Sequence, residues 1–116
     1  MNEKIKNAAL KFENENGRKA IVACMGLAFK PDIDDMRESP ALHITKRLLN
    51  DGYPVLAVEP NISSYPDFTI VNYLDAIKEA DVIAFLVGHK EFRTLKVEHG
   101  LDFCGVINSW KRRQND

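Results

Sequence analysis

Apolar and polar positions along the 116-residue chain fall into alternating helical and strand-like periods. Ile5, Ala8, Ala9 and Phe12 recur at helical spacing and Asn16-Gly17 supplies a stop, so residues 1–17 predict an amphipathic helix. Residues 20–25 are an unbroken apolar run of strand length. Residues 26–40 follow neither period and predict a loop. Ser39 then stands as a helix N-cap, with Pro40 at the first helical position, where its missing N–H costs nothing. Leu42, Ile44, Thr45, Leu48 and Leu49 give that helix an inner face, and Asp51-Gly52 ends it. Residues 53–58 predict a second strand with Pro54 near its start, broken by Glu59-Pro60-Asn61. A short strand is expected at 68–71. Asn72 then caps a helix with Asp75 in its third position and Leu74, Ile77 and Ala80 facing inward. Residues 81–87, continuously apolar after Asp81, read as a strand buried on both faces of a parallel sheet. Residues 90–96 predict a short helix or turn, 104–107 a last strand, and 111–116 a polar tail.

Strand and helix alternate throughout, which requires crossover connections and a parallel sheet covered on both sides. The fold class is therefore α/β: a Rossmann-like three-layer domain with a mainly parallel sheet, preceded by an N-terminal helix. One domain suits the length. A hydrophobic fraction of 45% and a charged fraction of 28% are ordinary for a globular chain. Net charge is −1, so no chain-wide field attracts nucleic acid or an anionic membrane. No apolar run approaches the roughly 20 residues of a membrane span, and Asn2-Glu3-Lys4 is not a signal-like start, so neither spanning nor secretion is expected. Cys24 and Cys104 lie in apolar runs without a second ligand at metal spacing and read as buried free thiols. A cytoplasmic location follows as the expectation.

The chemistry concentrates in residues 26–40, Gly-Leu-Ala-Phe-Lys-Pro-Asp-Ile-Asp-Asp-Met-Arg-Glu-Ser-Pro. This loop joins a buried strand to a helix, where open α/β sheets bind ligands. The dinucleotide pattern G-x-G-x-x-G is absent: only Gly26 follows the first strand. Lys30 supplies a mobile point charge and Arg37 a rigid fork, a pairing suited to phosphate or pyrophosphate beside a helix start. An alternative stays open, in which Lys30 and Arg37 are neutralised by Asp32, Asp34, Asp35 or Glu38. A divalent-metal reading of the three aspartates is weaker. Gly26 stands where such sites place their first carboxylate, and the EF-hand spacing fails. His43 and His89 read as satisfied surface histidines, although His89 follows a strand's carboxyl end.

Gly26-Leu-Ala-Phe-Lys30, Asp34-Asp35-Met-Arg37-Glu-Ser-Pro40, Val58-Glu59-Pro60-Asn61 and Ala80-Asp81-Val82 together resemble the C-terminal, UDP-binding domain of the UDP-glucose/GDP-mannose dehydrogenase family. The resemblance covers about residues 18–110, and Val-Glu-Pro-Asn is most like the branch that oxidises UDP-N-acetylmannosamine to its uronic acid. It implies a part of an NAD-dependent enzyme that oxidises a UDP-sugar at C6 in two hydride transfers, in polysaccharide biosynthesis. NAD is then bound mainly by a separate N-terminal domain. The nucleophilic cysteine belongs to a Gly-rich motif of a central region, and neither Cys24 nor Cys104 matches it. It implies further that Phe29 and Lys30 contact the UDP-sugar and that Arg37 reaches the NAD. The resemblance also implies that residues 1–17 continue a central dimerisation region, that the full-length enzyme is a homodimer or larger, and that this chain alone is inactive.

One departure stands out. The family's Asp, small residue, then Lys or Arg near the end corresponds here to Asn108-Ser109-Trp110-Lys111, with the basic residue displaced by one position. A one-residue slip turns a strand side chain to the other face, which puts Lys111 in doubt as a substrate contact and leaves Trp110 without an assigned role. The rival reading is a free-standing Rossmann-like module that uses the loop for a phosphorylated ligand or a protein partner.

Overall fold

A computed structural model describes residues 2–95, 100–104 and 106. In chain order the elements are α1 (Asn2–Asn16), β1 (Val22–Met25), α2 (Pro40–Asn50), β2 (Val55–Val58), α3 (Tyr73–Glu79), β3 (Val82–Phe85), α4 (Lys90–Arg93) and β4 (Leu101–Asp102). The strands form one parallel sheet in the order β2-β1-β3-β4. Val22 lies opposite Val55 on one side and Val82 on the other, so the three long strands start in step.

Alternation along these strands divides the core into two layers. Val22, Cys24, Ala57, Val82 and Ala84 point to one face, where Ile5 and Ala9 of α1 and Ile44 and Leu48 of α2 cover them. Ala23, Met25, Val58, Ile83 and Phe85 point to the other, under Ala76 of α3 and Phe92 of α4. Every residue of β1 and β3 is buried, as a strand covered on both faces must be. The expected three-layer α/β arrangement is thus observed, with the N-terminal helix seated on this chain's own sheet.

Several local expectations shift. Of the strand expected at 68–71, Ile70 bridges to Ala57 on the outer edge of β2, Phe68 bridges back to Tyr65, and Val71 N–H adds one bond to the Ala57 carbonyl. The last described strand is Leu101–Asp102; of the strand expected at 104–107, Cys104 and Val106 lie in no strand, and 105 and 107 are outside the described residues. The Asp102 carboxylate accepts from the Cys104 and Val106 amides, which turns the chain out of the sheet. Leu49 and Leu74, expected to face inward, are exposed, and the buried positions on their helices are Ala41, Ile44, Thr45, Leu48 and Ala76. The Asn108–Lys111 departure and Trp110 lie outside the described residues.

From β1 the chain runs to β2 on one side, then crosses back to β3 on the other. The loops after β1 and β3 therefore part at the carboxyl edge, a topological switch point. Gly26 sits at this parting with φ +97°, its N–H bonded to the Val58 carbonyl at 2.8 Å. A Cβ at this position would lie 2.7 Å from Val87 Cβ and 3.0 Å from the Val87 backbone N and O. Only glycine fits so close an approach in that conformation.

Candidate functional site

The loop after β1 is held from below by residues at the ends of both neighbouring strands. Glu59, the first residue past β2, is 1% exposed, and His89, four residues past β3, is fully buried. Glu59 Oε1 accepts from the Leu27 and Ala28 amides at 3.0 Å each, and Oε2 accepts from the Asn61 amide at 3.0 Å. His89 Nε2 lies 2.8 Å from Glu59 Oε1, and His89 Nδ1 accepts from the Asp32 amide at 2.8 Å. Because Nδ1 accepts, the ring proton belongs on Nε2, where it is donated to the carboxylate. Asn61 Nδ2 donates to the Ile33 carbonyl and lies 3.3 Å from His89 Nδ1. The Asp32 carboxylate then accepts from the Lys90 amide at 2.7 Å.

The same loop closes on itself. Phe29 N–H donates to the Asp35 carbonyl, and the Ser39 hydroxyl donates to the Ala28 carbonyl while accepting from the Leu42 amide at the start of α2. Asp32 at φ +63° and Glu38 at φ +56° are the two non-glycine residues of left-handed backbone among those described, and both lie in this loop. At Asp32 that conformation is over-determined by bonds at both its amide and its carboxylate.

What this frame presents outward are the three residues singled out in the sequence. Phe29 is 49% exposed, an aromatic surface open to a partner. Lys30 is exposed and has no ion-pair partner among the described residues. Arg37 is exposed and forms a bidentate pair with Asp35, Nε to Oδ1 and Nη2 to Oδ2 at 3.1 Å each. Its guanidinium holds the Asp35 carboxyl below the usual carboxylate range. Phe29, Asp35, Arg37 and Glu38 line one open concavity of about 380 Å³. The alternative of a self-neutralised loop is thus met at Arg37 and not at Lys30. Asp32 and Asp35 are engaged with Lys90 and Arg37, and among the described residues no three His, Cys, Asp or Glu side chains converge as a metal site.

His89 corrects the reading of a surface histidine. It is buried because both ring nitrogens find partners inside and its edge meets the Phe92 ring, centroids 5.6 Å apart. Glu59, read from sequence as part of a strand break and of the Val58-Glu59-Pro60-Asn61 motif, is the hub of the network. The available signal was positional: once β2 and β3 are known to flank β1, residues just past both strands border its loop.

Burial raises the Glu59 pKa, but hydrogen bonds from His89 and from the Leu27 and Asn61 amides outweigh it and leave the group below the ordinary glutamate value. A depressed pKa contributes stability that is present above the unfolded value, about 4.3, and lost as pH falls through the folded one. Glu59→Gln, which cannot ionise, should therefore flatten the acid limb of the stability-against-pH curve by up to about one proton. Urea unfolding at stepped pH reads that slope. An unaltered limb would mean that Glu59 does not change its protonation on acid unfolding.

The thiols have a different character. Burial pushes Cys24 up to about 11, and burial with the nearby Asp102 charge does the same for Cys104. Neither is poised as a thiolate nucleophile near neutral pH. Among the described residues no helix is long and apolar enough to cross a membrane.

Comparison with known proteins agrees with this geometry. The profile of the UDP-glucose/GDP-mannose dehydrogenase family, UDP binding domain, matches residues 23–106. UDP-N-acetyl-D-mannosamine dehydrogenase from Campylobacter jejuni is 46% identical over 91 residues, covering 72% of this chain and 22% of that protein. The protein of the same name from Yersinia pestis is 44% identical over 84 residues, covering 66% of this chain and 20% of that protein. The crystal structure of NDP-N-acetyl-D-galactosaminuronic acid dehydrogenase from Methanosarcina mazei Go1 superposes with a TM-score of 0.66 at 29% identity, over 82% of this chain and 21% of that one. The chain thus spans about a fifth of the length of the relatives it matches. It belongs to the UDP-glucose/GDP-mannose dehydrogenase family and carries that family's UDP binding domain.

Proposed function

We propose that this chain is the C-terminal UDP-sugar-binding domain of an NAD-dependent UDP-sugar 6-dehydrogenase of the type that converts UDP-N-acetylmannosamine to its uronic acid. Residues 18–110 form that domain, 1–17 continue a central dimerisation region and 111–116 are a tail. The single observation that carries the reading is the loop after β1. It is tethered from beneath at Leu27, Ala28 and Asp32, yet it projects an exposed Phe29 and a Lys30 with no ion-pair partner among the described residues. An ammonium carried at such a place suits phosphate and sugar oxygens, and an exposed ring beside it suits the apolar surface of a nucleotide.

The residues present do not make an NAD site of their own, since Gly26 alone follows β1 and its Cβ position is filled by Val87. Arg37, which lines the open concavity, on this reading reaches a dinucleotide held by another domain, and to do so it shares or leaves Asp35. On this reading the working enzyme is cytoplasmic, a homodimer or larger, and this chain by itself reduces no NAD. The reacting cysteine is not Cys24 or Cys104, whose thiols are held protonated.

In the full-length enzyme, Lys30→Ala should raise KM for the sugar nucleotide about tenfold, the loss of one charge-assisted contact, with kcat changed far less. An unchanged KM removes Lys30 from the site. The Arg37–Asp35 pair favours a second reading, in which a free-standing module takes a phosphorylated ligand through Lys30 alone. About 300 upstream codons in frame, encoding a G-x-G-x-x-G domain and a cysteine motif, decide for the enzyme. Their absence favours the module.

A further inference from the structure

We infer that Glu59 and His89 are positioning residues for ligand binding: a buried latch that sets the loop carrying Phe29 and Lys30 without touching the ligand. The inference rests on the UDP-binding reading of that loop. Three strand ends meet in the latch. Glu59 comes from β2 and His89 from beyond β3, and between them they hold Leu27, Ala28 and Asp32 of the loop leaving β1. These bonds bracket the two outward residues on both sides. Leu27 and Ala28 immediately precede Phe29 and Lys30, and Asp32 follows one residue after Pro31.

The order of donors and acceptors allows one arrangement. The Glu59 carboxylate is acceptor-only and faces four donors: three backbone amides and His89 Nε2–H. His89 passes that polarity on, donating toward Glu59 and accepting from Asp32. A glutamine at 59 cannot satisfy the set, because one end of its amide would turn N–H groups toward N–H groups. An asparagine at 89 keeps an acceptor oxygen near the Nδ1 position and loses the donor to Glu59. Both side chains are buried beneath the loop, while Phe29 and Lys30 face out, so any effect on a ligand is transmitted through backbone position.

The test uses the 116-residue chain, ¹⁵N-labelled and titrated with UDP, as wild type, Glu59→Gln and His89→Asn. In the wild type, UDP should shift the Phe29 and Lys30 amides and leave the His89 ring nitrogens at their unprotonated-Nδ1, protonated-Nε2 positions. Glu59→Gln should weaken UDP about tenfold, the scale seen when a supporting partner of a binding group is removed. It should also speed hydrogen exchange at the Leu27, Ala28 and Asp32 amides about tenfold or more. His89→Asn should weaken UDP less and leave the Asp32 amide better protected than in Glu59→Gln. Affinity and exchange must move together, and a folded Glu59→Gln chain in which either stays at the wild-type value overturns the inference. Should that variant fail to fold, the wild-type ring decides: a protonated Nδ1, or ring nitrogens that shift with UDP, overturns it. A wild-type chain that binds no UDP sinks the functional reading instead, and the exchange rates then decide alone whether the latch sets the loop.

Discussion

Glu59→Ala should lower the stability of the folded chain at neutral pH by about 3–5 kcal/mol, more than any outward-facing substitution in the loop. The carboxylate accepts from the Leu27, Ala28 and Asn61 amides and from His89, all at 3.0 Å or less. Each buried donor left unpaired costs about 1–3 kcal/mol. The simple sum overshoots, because Glu59 borders a concavity of about 310 Å³ with Pro60, Ile62 and Tyr73, and water entering there would satisfy some of the donors. Chemical denaturation of the variant against the wild type measures the difference. A loss under about 1 kcal/mol would mean that the four donors find other partners and that Glu59 is not the hub described.

Gly26→Ala should cost about 2–4 kcal/mol through two separable effects. An alanine at φ +97° is strained whatever its surroundings, and here its Cβ would also lie 2.7 Å from Val87 Cβ. Val87→Ala alone is a modest loss. Combined with Gly26→Ala it should give little rescue, because Val87→Ala keeps its own Cβ and the Val87 backbone N and O remain 3.0 Å from the new Cβ. A double-mutant cycle showing full rescue would place the whole penalty in the two valine methyls and remove the backbone close approach from the explanation.

Much of this fold can be read from residue order alone. Ser39-Pro40 starts α2 as its cap chemistry requires, Asn72 accepts from the Leu74 amide at the start of α3, and the apolar runs at 20–25 and 81–87 contain β1 and β3. Pattern reading fails where a segment has two acceptable uses. Residues 104–107 have strand composition, but Asp102 takes the Cys104 and Val106 N–H groups that a strand there would need. Leu74 has helical spacing, yet Ala76, with Tyr73, Ile77 and Ala80 beside it, packs on the sheet while Leu74 stays exposed.

The candidate site divides in the same way. Phe29, Lys30 and Arg37 are visible because they are local in sequence and unusual in type. The Glu59–His89 pair joins positions 30 residues apart, and only the strand order β2-β1-β3 brings them under one loop. Whether Arg37 would pair with Asp35 or stay free was equally undecidable from charge alone. The structure answers it with a bidentate pair between residues two apart in the loop.

Titrating the chain with UDP, with the backbone amides of residues 26–40 followed by NMR, tests the reading of that loop most directly. Saturable shifts centred on Phe29 and Lys30, weakened about tenfold by Lys30→Ala, are the expected result. Signals in this loop that stay unmoved at millimolar UDP, or shifts centred elsewhere on the chain, would contradict it.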